Sequence, residues 1–531
     1  MAEVGAGKKM ASTLQTALEA QLPDYFLKQR WFGGKARKIA SVEVVDTLPI
    51  PVSGGNAFIF VASVHYADGA DEFYAIPLAR SEGAGAEGLK VPGPDGGSIM
   101  LADGLKHVAF LTALAELIEK GSAVGGEMGE LRGLQTTAYS KLSREPVASL
   151  TPKPVGAEQS NTSIIYGNKL ILKFFRRIQE GINPDLEIGQ FLTEKTSLKS
   201  VPPLAGTLEY QARDGKPMAQ GMLQKFVENQ GDAWGFTLKA LANYYDEVRK
   251  TTKAGTAAST VTGVASTGTS GDVVPGVAKS AVETYLAAAE LLGQRTAEMH
   301  LALASNASDP AFAPEPFTME SQQALEQSVS GLLVRVFSLL RDKMKYLPTE
   351  WRSKAERLAA CESEIAARFN VALREPIRAM RTRIHGDYHL GQVLRTESDF
   401  VIIDFEGEPA RSIEERRVKR SPLQDVAGML RSFHYAAFAP LLGEDRVQGD
   451  DVARMGVWAE AWNSWVAERY LGKYFATAKD AAYLPATQAE IKTVLELHLL
   501  EKAIYELGYE LNNRPTWVGI PLQGIGKLLS L

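Results

Sequence analysis

Ile384-His385-Gly386-Asp387-Tyr388-His389-Leu390-Gly391-Gln392, followed by Phe400-Val401-Ile402-Ile403-Asp404-Phe405-Glu406, is the stretch whose reading decides the fold. Asp404 closes an apolar, strand-like run seventeen positions after Asp387. A hairpin between the two segments would bring both carboxylates to one place. Phosphoryl transfer needs a carboxylate near the attacking hydroxyl, a metal against the phosphates and a cation on the phosphate oxygens. Asp387 is the candidate base. Gln392, Asp404 and Glu406 offer the hard oxygens that Mg²⁺ prefers. Taken singly, each aspartate also fits a turn, and His385, Asp387 and His389 also fit the zinc site of a hydrolase.

The upstream sequence weighs against zinc. Ser163-Ile164-Ile165-Tyr166 and Lys169-Leu170-Ile171-Leu172-Lys173-Phe174-Phe175 flank Gly167-Asn168, a strong hairpin signal because a two-residue turn needs positive φ. Lys173 then ends a strand, and Glu187 lies in a short helix opened by Asn183-Pro184-Asp185. A strand lysine on the α and β phosphates, paired with a helical glutamate, is a kinase arrangement. The phosphate loop falls at Gln159-Ser160-Asn161-Thr162-Ser163, polar rather than glycine-rich. The strand around Met222-Leu223-Gln224-Lys225-Phe226-Val227 is expected to lead into a hinge whose backbone at Gln224 and Phe226 faces the adenine edge, although an ordinary core strand would look the same. No G-x-x-x-x-G-K-[ST] occurs, which sets aside a P-loop enzyme.

Composition agrees. The 531 residues are long for one domain, 45% are apolar, and the net charge of −5 gives no basic excess for nucleic acid. Cys361 is the single cysteine, which excludes a disulfide framework and fits a reducing cytoplasm. Residues 1–10 show no apolar signal region, and no run of about 18 apolar residues predicts a membrane span.

Along the chain, a helix is expected over 11–22, ended by Pro23, then a loop at 29–35 and an antiparallel β unit from 41 to 80. Residues 81–98 read as a loop and 105–120 as a helix. A second β unit covers 134–227, and from 232 the chain is helical. Residues 251–280 interrupt it as a Gly/Ser/Thr/Ala-rich mobile loop. Long helices are expected at 281–304, 320–346 and 350–375, short strands near 393–403, and helices to about 512. The expected fold is α+β: a protein-kinase-like bilobal fold with an extra N-terminal β-rich cap (1–125), a β-rich nucleotide-binding small lobe (126–230) and a mostly helical C-lobe (231–531).

These residues resemble a known family. His385-Gly386-Asp387-Tyr388-His389-Leu390-Gly391-Gln392 and Ile403-Asp404-Phe405-Glu406-Gly407-Glu408-Pro409 are similar to the signature of bacterial maltokinases, within the aminoglycoside phosphotransferase-like group. Gln29-Arg30-Trp31-Phe32-Gly33-Gly34-Lys35 resembles the start of the maltokinase N-terminal cap. Ser160–Ser163, Leu172–Arg177, Lys419–His434 and Arg514–Trp517 are similar as well. The likeness extends to the kinase portion of trehalose synthase–maltokinase fusions, without room for their additional barrel. It implies ATP and Mg²⁺ as cofactors and transfer of the γ-phosphate to the anomeric hydroxyl of maltose, giving maltose 1-phosphate for α-glucan synthesis. It also implies association with trehalose synthase. Another acceptor such as glucosamine, or a non-catalytic sensor on the same scaffold, remains an alternative reading.

The sugar site is expected on the C-terminal helix. Lys502, Tyr505, Glu506 and Tyr509 fall on one face, and Asn513, Arg514 and Trp517 follow; an exposed, charge-paired helix would look similar. His389 is a further candidate sugar contact. Asp425 is expected to brace the catalytic loop, and Trp458, Trp462 and Trp465 to lie in the core.

Overall fold

The structure, a computed structural model, describes residues 14–52, 55–81, 88–93, 97–155, 161–253, 276–442 and 451–530. The chain forms two compact units. Unit one comprises 1–196, 202–228 and 411–415; unit two comprises 197–201, 229–410 and 416–531.

Unit one holds two antiparallel sheets. The first contains β1 (Ile39–Val52), β2 (Gly55–Tyr66), β3 (Glu72–Arg80), β4 (Leu89–Pro92) and β5 (Ser98–Asp103), in the order β1-β2-β3-β5-β4. The second is built from β6 (Ala123–Gly125), β7 (Gly129–Gln135), β8 (Pro152–Val155), β9 (Asn161–Tyr166) and β10 (Leu170–Phe175), with β12 (Leu204–Ala212) and β13 (Pro217–Lys225). Its order is β6-β7-β12-β13-β10-β9-β8, and β11 (Arg177–Ile178) leaves it to pair with β3. The Gly167-Asn168 hairpin forms as expected, with φ of 54° at both residues.

The first sheet is buried on both faces, which explains why Ala57–Val64 is almost continuously apolar. In β2, Ile59 and Val61 join one core while Phe60, Ala62 and Val64 join another. In β1 the register shifts between Val44 and Asp46. Without that irregularity, Val42, Val44, Leu48 and Ile50 would share a face. With it, Val42 and Val44 meet the aromatic core around Phe26, Trp31, Phe32 and Tyr74, while Leu48 and Ile50 meet the core shared with the second sheet. Full burial of each such large side chain contributes about 1.5–3 kcal/mol.

The helices of unit one include α1 (Leu22–Lys28), α2 (Val108–Lys120) and α3 (Pro184–Lys195). Residues 14–19 are helical, but Pro23 lies in the first turn of α1 and so starts a helix instead of ending one, because an N-terminal N–H has no helical partner to lose. Residues 81–98 are not simply a loop: β4 and the start of β5 fall there, pairing Val91 with Ile99. Buried polar groups tie the two sheets together. Asp46 (3% exposed) accepts the Glu127 N–H at 2.9 Å and the Tyr210 hydroxyl at 2.8 Å. Tyr166 donates its hydroxyl to the Leu111 carbonyl of α2.

Unit two is mostly helical: α4 (Ala233–Lys253), α5 (Gly276–Leu303), α6 (Met319–Lys343), α7 (Leu423–Leu442), α8 (Asp451–Thr477), α9 (Gln488–Asn513) and α10 (Gly519–Leu529). Two shorter helices, Thr349–Ala360 and Glu362–Ala372, replace the single one expected over 350–375, with the break at Cys361. Helix α10 lies beyond the last helix read from the sequence. Helices α4 and α5 reach into the expected 251–280 loop from both sides, and residues 254–275 lie outside the described residues. The close approach of α5 and α8 depends on Gly293, where a Cβ would collide with the Tyr470 carbonyl. Trp458, Trp462 and Trp465 are all buried, as expected of core residues. A hairpin of β14 (Val393–Arg395) and β15 (Phe400–Ile402) carries the central motif. Among the described residues no helix is long and apolar enough to cross a membrane.

Candidate active site

The central motif is a loop pinned from below. Asp425, in the first turn of α7, is 2% exposed. It accepts the His385 N–H at 2.7 Å, the Gly386 N–H at 2.9 Å and a hydrogen bond from His300 Nε2 at 3.1 Å. Burial pushes this carboxyl upward, but the His300 hydrogen bond, the neighbouring histidines and the Gly386 N–H outweigh it and hold it below its ordinary value. His300 Nδ1 is 2.9 Å from the Tyr474 hydroxyl. Gly386 has φ of 86°, a conformation that costs glycine least. Asp425 therefore sets the backbone immediately before Asp387.

His385 closes the loop from within. It is 1% exposed, accepts the Asp387 N–H at Nδ1 (3.4 Å) and faces the Ile403 carbonyl with Nε2 (2.9 Å). Both ring nitrogens are thus committed to backbone, with the proton on Nε2, and His385 is a strut; binding zinc through either nitrogen would break the bond that nitrogen makes. The Gln392 carbonyl accepts the Ile403 N–H at 3.0 Å, which ties Gln392 to the residue before Asp404. Asp404 has φ of 70°, an uncommon conformation that aspartate tolerates better than most residues. Asp404 and Glu406 each bring a carboxylate oxygen within 4.8 Å of the other. Asp404 and Glu406 thus supply hard oxygens of the kind Mg²⁺ takes, and Gln392 is joined to their segment through its backbone carbonyl.

Around Asp387 the charges alternate. Lys502 Nζ lies 3.4 Å from Asp387 Oδ1, and His389 Nε2 stands 4.0 Å from Oδ2. His389 accepts the Gly391 N–H at Nδ1, so its proton sits on the nitrogen facing Asp387. Burial holds the His389 imidazole below its usual value in spite of Asp387, which keeps it neutral at pH 7. Glu506 takes both Nε (2.9 Å) and Nη2 (2.6 Å) of Arg431 on one oxygen. The Tyr505 ring lies under Lys502 at 5.1 Å, and burial followed by Glu408 pushes its phenol upward. Tyr509 is 47% exposed, with the Arg514 guanidinium over its ring.

The unit-one residues form a second set. Lys173 sits in β10 between Ser163 of β9 and Met222 of β13. Its Nζ is 3.1 Å from Asp185 Oδ2, a carboxylate that is 3% exposed. The sequence does not single out Asp185; Glu187, the partner expected there, lies two positions further along the same helix. Asn183 caps α3 by accepting the Asp185 and Leu186 N–H groups, and Pro184 starts it, which turns Asp185 toward the strand.

Two expectations need correction. Asn161, Thr162 and Ser163 are not loop but the start of β9; Ser163 is buried, and Thr162 accepts a hydrogen bond from Arg176 Nε at 3.2 Å. Ser160 lies outside the described residues. The Phe226 N–H donates to the Lys169 carbonyl at 2.8 Å, so that donor belongs to the sheet and not to an adenine edge, and Gln224 is paired with Ile171 and Leu204 inside the ladder. Beyond Asp185, the sequence reading missed Arg431, Glu408 and His300. Arg431 falls at i+6 from Asp425 on α7, and only the fold reveals that it meets α9.

Residues 25–98 match the model of the maltokinase N-terminal cap domain. A glucosamine kinase of Streptacidiphilus jiangxiensis is 26% identical over 251 residues, covering 47% of this chain and half of the relative. A glucosamine kinase of Mycolicibacterium smegmatis is 24% identical over 388 residues, 71% of this chain and 79% of the relative. The solved structure of a glucosamine kinase in complex with glucosamine, ADP and inorganic phosphate superposes with a TM-score of 0.59 at 19% identity, covering 92% of this chain and 94% of that one. A second crystal form of glucosamine kinase gives 0.60 at 19% identity, covering 94% and 96%. At that identity the likeness establishes the fold, which is the kinase-like α+β one.

Proposed function

We propose that this chain, which carries a maltokinase N-terminal cap domain on a kinase-like fold, is an ATP-dependent sugar kinase that phosphorylates the anomeric hydroxyl of maltose. The observation that carries the reading is the pinned loop: Asp425 fixes the backbone at His385 and Gly386, and so presents Asp387 as a base. In this mechanism Asp387 accepts the proton of the sugar hydroxyl through Oδ2. The freed oxygen bonds to the γ-phosphorus, the bond from that phosphorus to the β–γ bridging oxygen breaks, and the electron pair leaves with ADP. Lys173, oriented by Asp185 and Glu187, serves the α and β phosphates. Ser160 and the start of β9 (Asn161–Ser163) serve the ATP phosphates, the latter as strand and not as loop. Gln392, Asp404 and Glu406 would hold Mg²⁺, whose charge offsets that of the phosphates.

The acceptor surface in this reading is His389 with the polar face of α9, from Lys502 to Tyr509. The functional division remains cap (1–125), nucleotide part (126–230) and catalytic, sugar-binding part (231–531). The cap match favours maltose. A second reading, glucosamine as acceptor, is favoured by the glucosamine kinase relatives. Purified protein with ATP, Mg²⁺ and a sugar panel decides between them: maltose-dependent ADP release supports the first, release with glucosamine alone supports the second, and none with any sugar refutes both. A cytoplasmic setting and association with trehalose synthase go with the first reading, and co-purification with that enzyme tests the association.

A further inference from the structure

Five side chains of the proposed acceptor face are polar, yet they are not equally available to a sugar. Glu506 is 12% exposed and carries the Arg431 guanidinium on one oxygen through two bonds. Arg431 is itself 5% exposed and is fixed from a third side: its Nη1 lies 3.2 Å from His434 Nδ1, and a Cβ at Gly524 of α10 would run into the same group. Four residues away along α9, one helical turn, Lys502 reaches Asp387. Positive and negative groups therefore alternate from α7 through α9 to the catalytic loop: Arg431, Glu506, Lys502, Asp387.

We propose that Lys502 is a positioning residue for the base Asp387, held at the loop by the Arg431–Glu506 pair, and not a sugar ligand. The inference rests on the kinase reading and deepens it. A carboxylate that accepts a proton must keep one oxygen aimed at the hydroxyl. With Oδ1 engaged by the ammonium at 3.4 Å, rotation of the carboxylate is restrained and Oδ2 is left toward His389 and the acceptor. The groups facing the ammonium are Asp387 on the loop, Glu408 beyond Asp404, and Glu506 and the Tyr505 ring on its own helix. Glu506 is satisfied by Arg431, and Glu408 bonds Tyr505, so Asp387 is the partner at hydrogen-bonding distance. These carboxylates, Asp387 foremost, more than offset the burial of Lys502 and raise it above its ordinary 10.5, so it stays charged across the working pH range.

The test separates orientation from binding. Lys502→Met should lower kcat about 100-fold, the scale of a misplacement of roughly 1 Å, with KM for sugar and ATP within about 3-fold. Lys502→Arg should recover to within about 10-fold of the parent, and Glu506→Gln should lower kcat without raising KM for the sugar. A KM for the sugar raised more than about 10-fold with kcat intact, in Lys502→Met or Glu506→Gln, would make these residues sugar ligands and overturn the proposal. A readout independent of turnover is NMR of ¹³Cε-lysine-labelled protein. The Lys502 signal should titrate above free lysine and shift downward in Asp387→Asn; no shift would overturn the pairing. If the parent protein shows no sugar-dependent ADP release, the kinase reading fails, while the NMR titration still decides whether Lys502 is held by Asp387.

Discussion

Replacing Asp425 by Asn tests the central structural claim, that one buried carboxylate sets the catalytic loop. The carboxylate satisfies three donors: His385 N–H and His300 Nε2 on Oδ2, and Gly386 N–H on Oδ1. Asparagine offers one oxygen. If that oxygen keeps His385 and His300, the amide NH₂ faces the Gly386 N–H, and one buried donor is orphaned at about 1–3 kcal/mol. The two surviving bonds lose their ionic partner, roughly 1 kcal/mol each. The expected loss is about 3–5 kcal/mol, the range seen when one member of a buried pair is removed. Because Gly386 adjoins Asp387, a loop shift near 1 Å should also lower kcat about 100-fold. Urea unfolding followed by tryptophan fluorescence reports the right region, since six of the seven tryptophans, all but Trp31, lie in unit two. Acid acts on the same carboxylate. The folded carboxyl is depressed below 3.8, so its contribution is fully present above that pH and is lost as pH falls through the folded value. The variant should lack this acid sensitivity. A variant with kcat within 3-fold of the parent and a stability change under about 1 kcal/mol would refute the reasoning.

Other expectations follow from the same geometry. At Gly126 a Cβ would meet the Asp46 carboxylate that bonds Glu127 N–H and Tyr210, so Gly126→Ala should destabilise unit one by about 2–4 kcal/mol; an unchanged calorimetric transition would count against the network. Lys173→Met should lower kcat/KM for ATP on the order of 10–100-fold while leaving the fold intact by circular dichroism; wild-type kinetics would remove Lys173 from the phosphate role. Asp404→Asn should shift the Mg²⁺ dependence of turnover upward by at least about 10-fold, and an unshifted titration would place the metal elsewhere.

Much of unit one was legible because its signals are local. Gly167-Asn168 forces a hairpin through its own backbone preferences, and Asn183-Pro184 starts a helix through capping and a missing N–H. The strand lysine and the Asp387-to-Asp404 interval were legible for the same reason. What failed was anything set by a partner distant in sequence. Residues 81–98 read as loop because they are rich in Gly and Pro, yet 89–92 become a strand by pairing with 98–103, which in turn pairs with β3. Phe226 reads as a hinge donor until the Lys169 carbonyl takes its N–H.

From sequence alone came the proposed chemistry: candidate carboxylates, a candidate lysine and their order along the chain, because residue type and short-range spacing decide what a side chain can do. Tertiary structure alone decided which of these groups are held and by what. Arg431 meets Glu506 across 75 positions, and Asp425 meets the His385 N–H across 40. Such pairings carry no local signature, since a hydrogen bond depends on a few tenths of an ångström in space and the sequence records only separation along the chain.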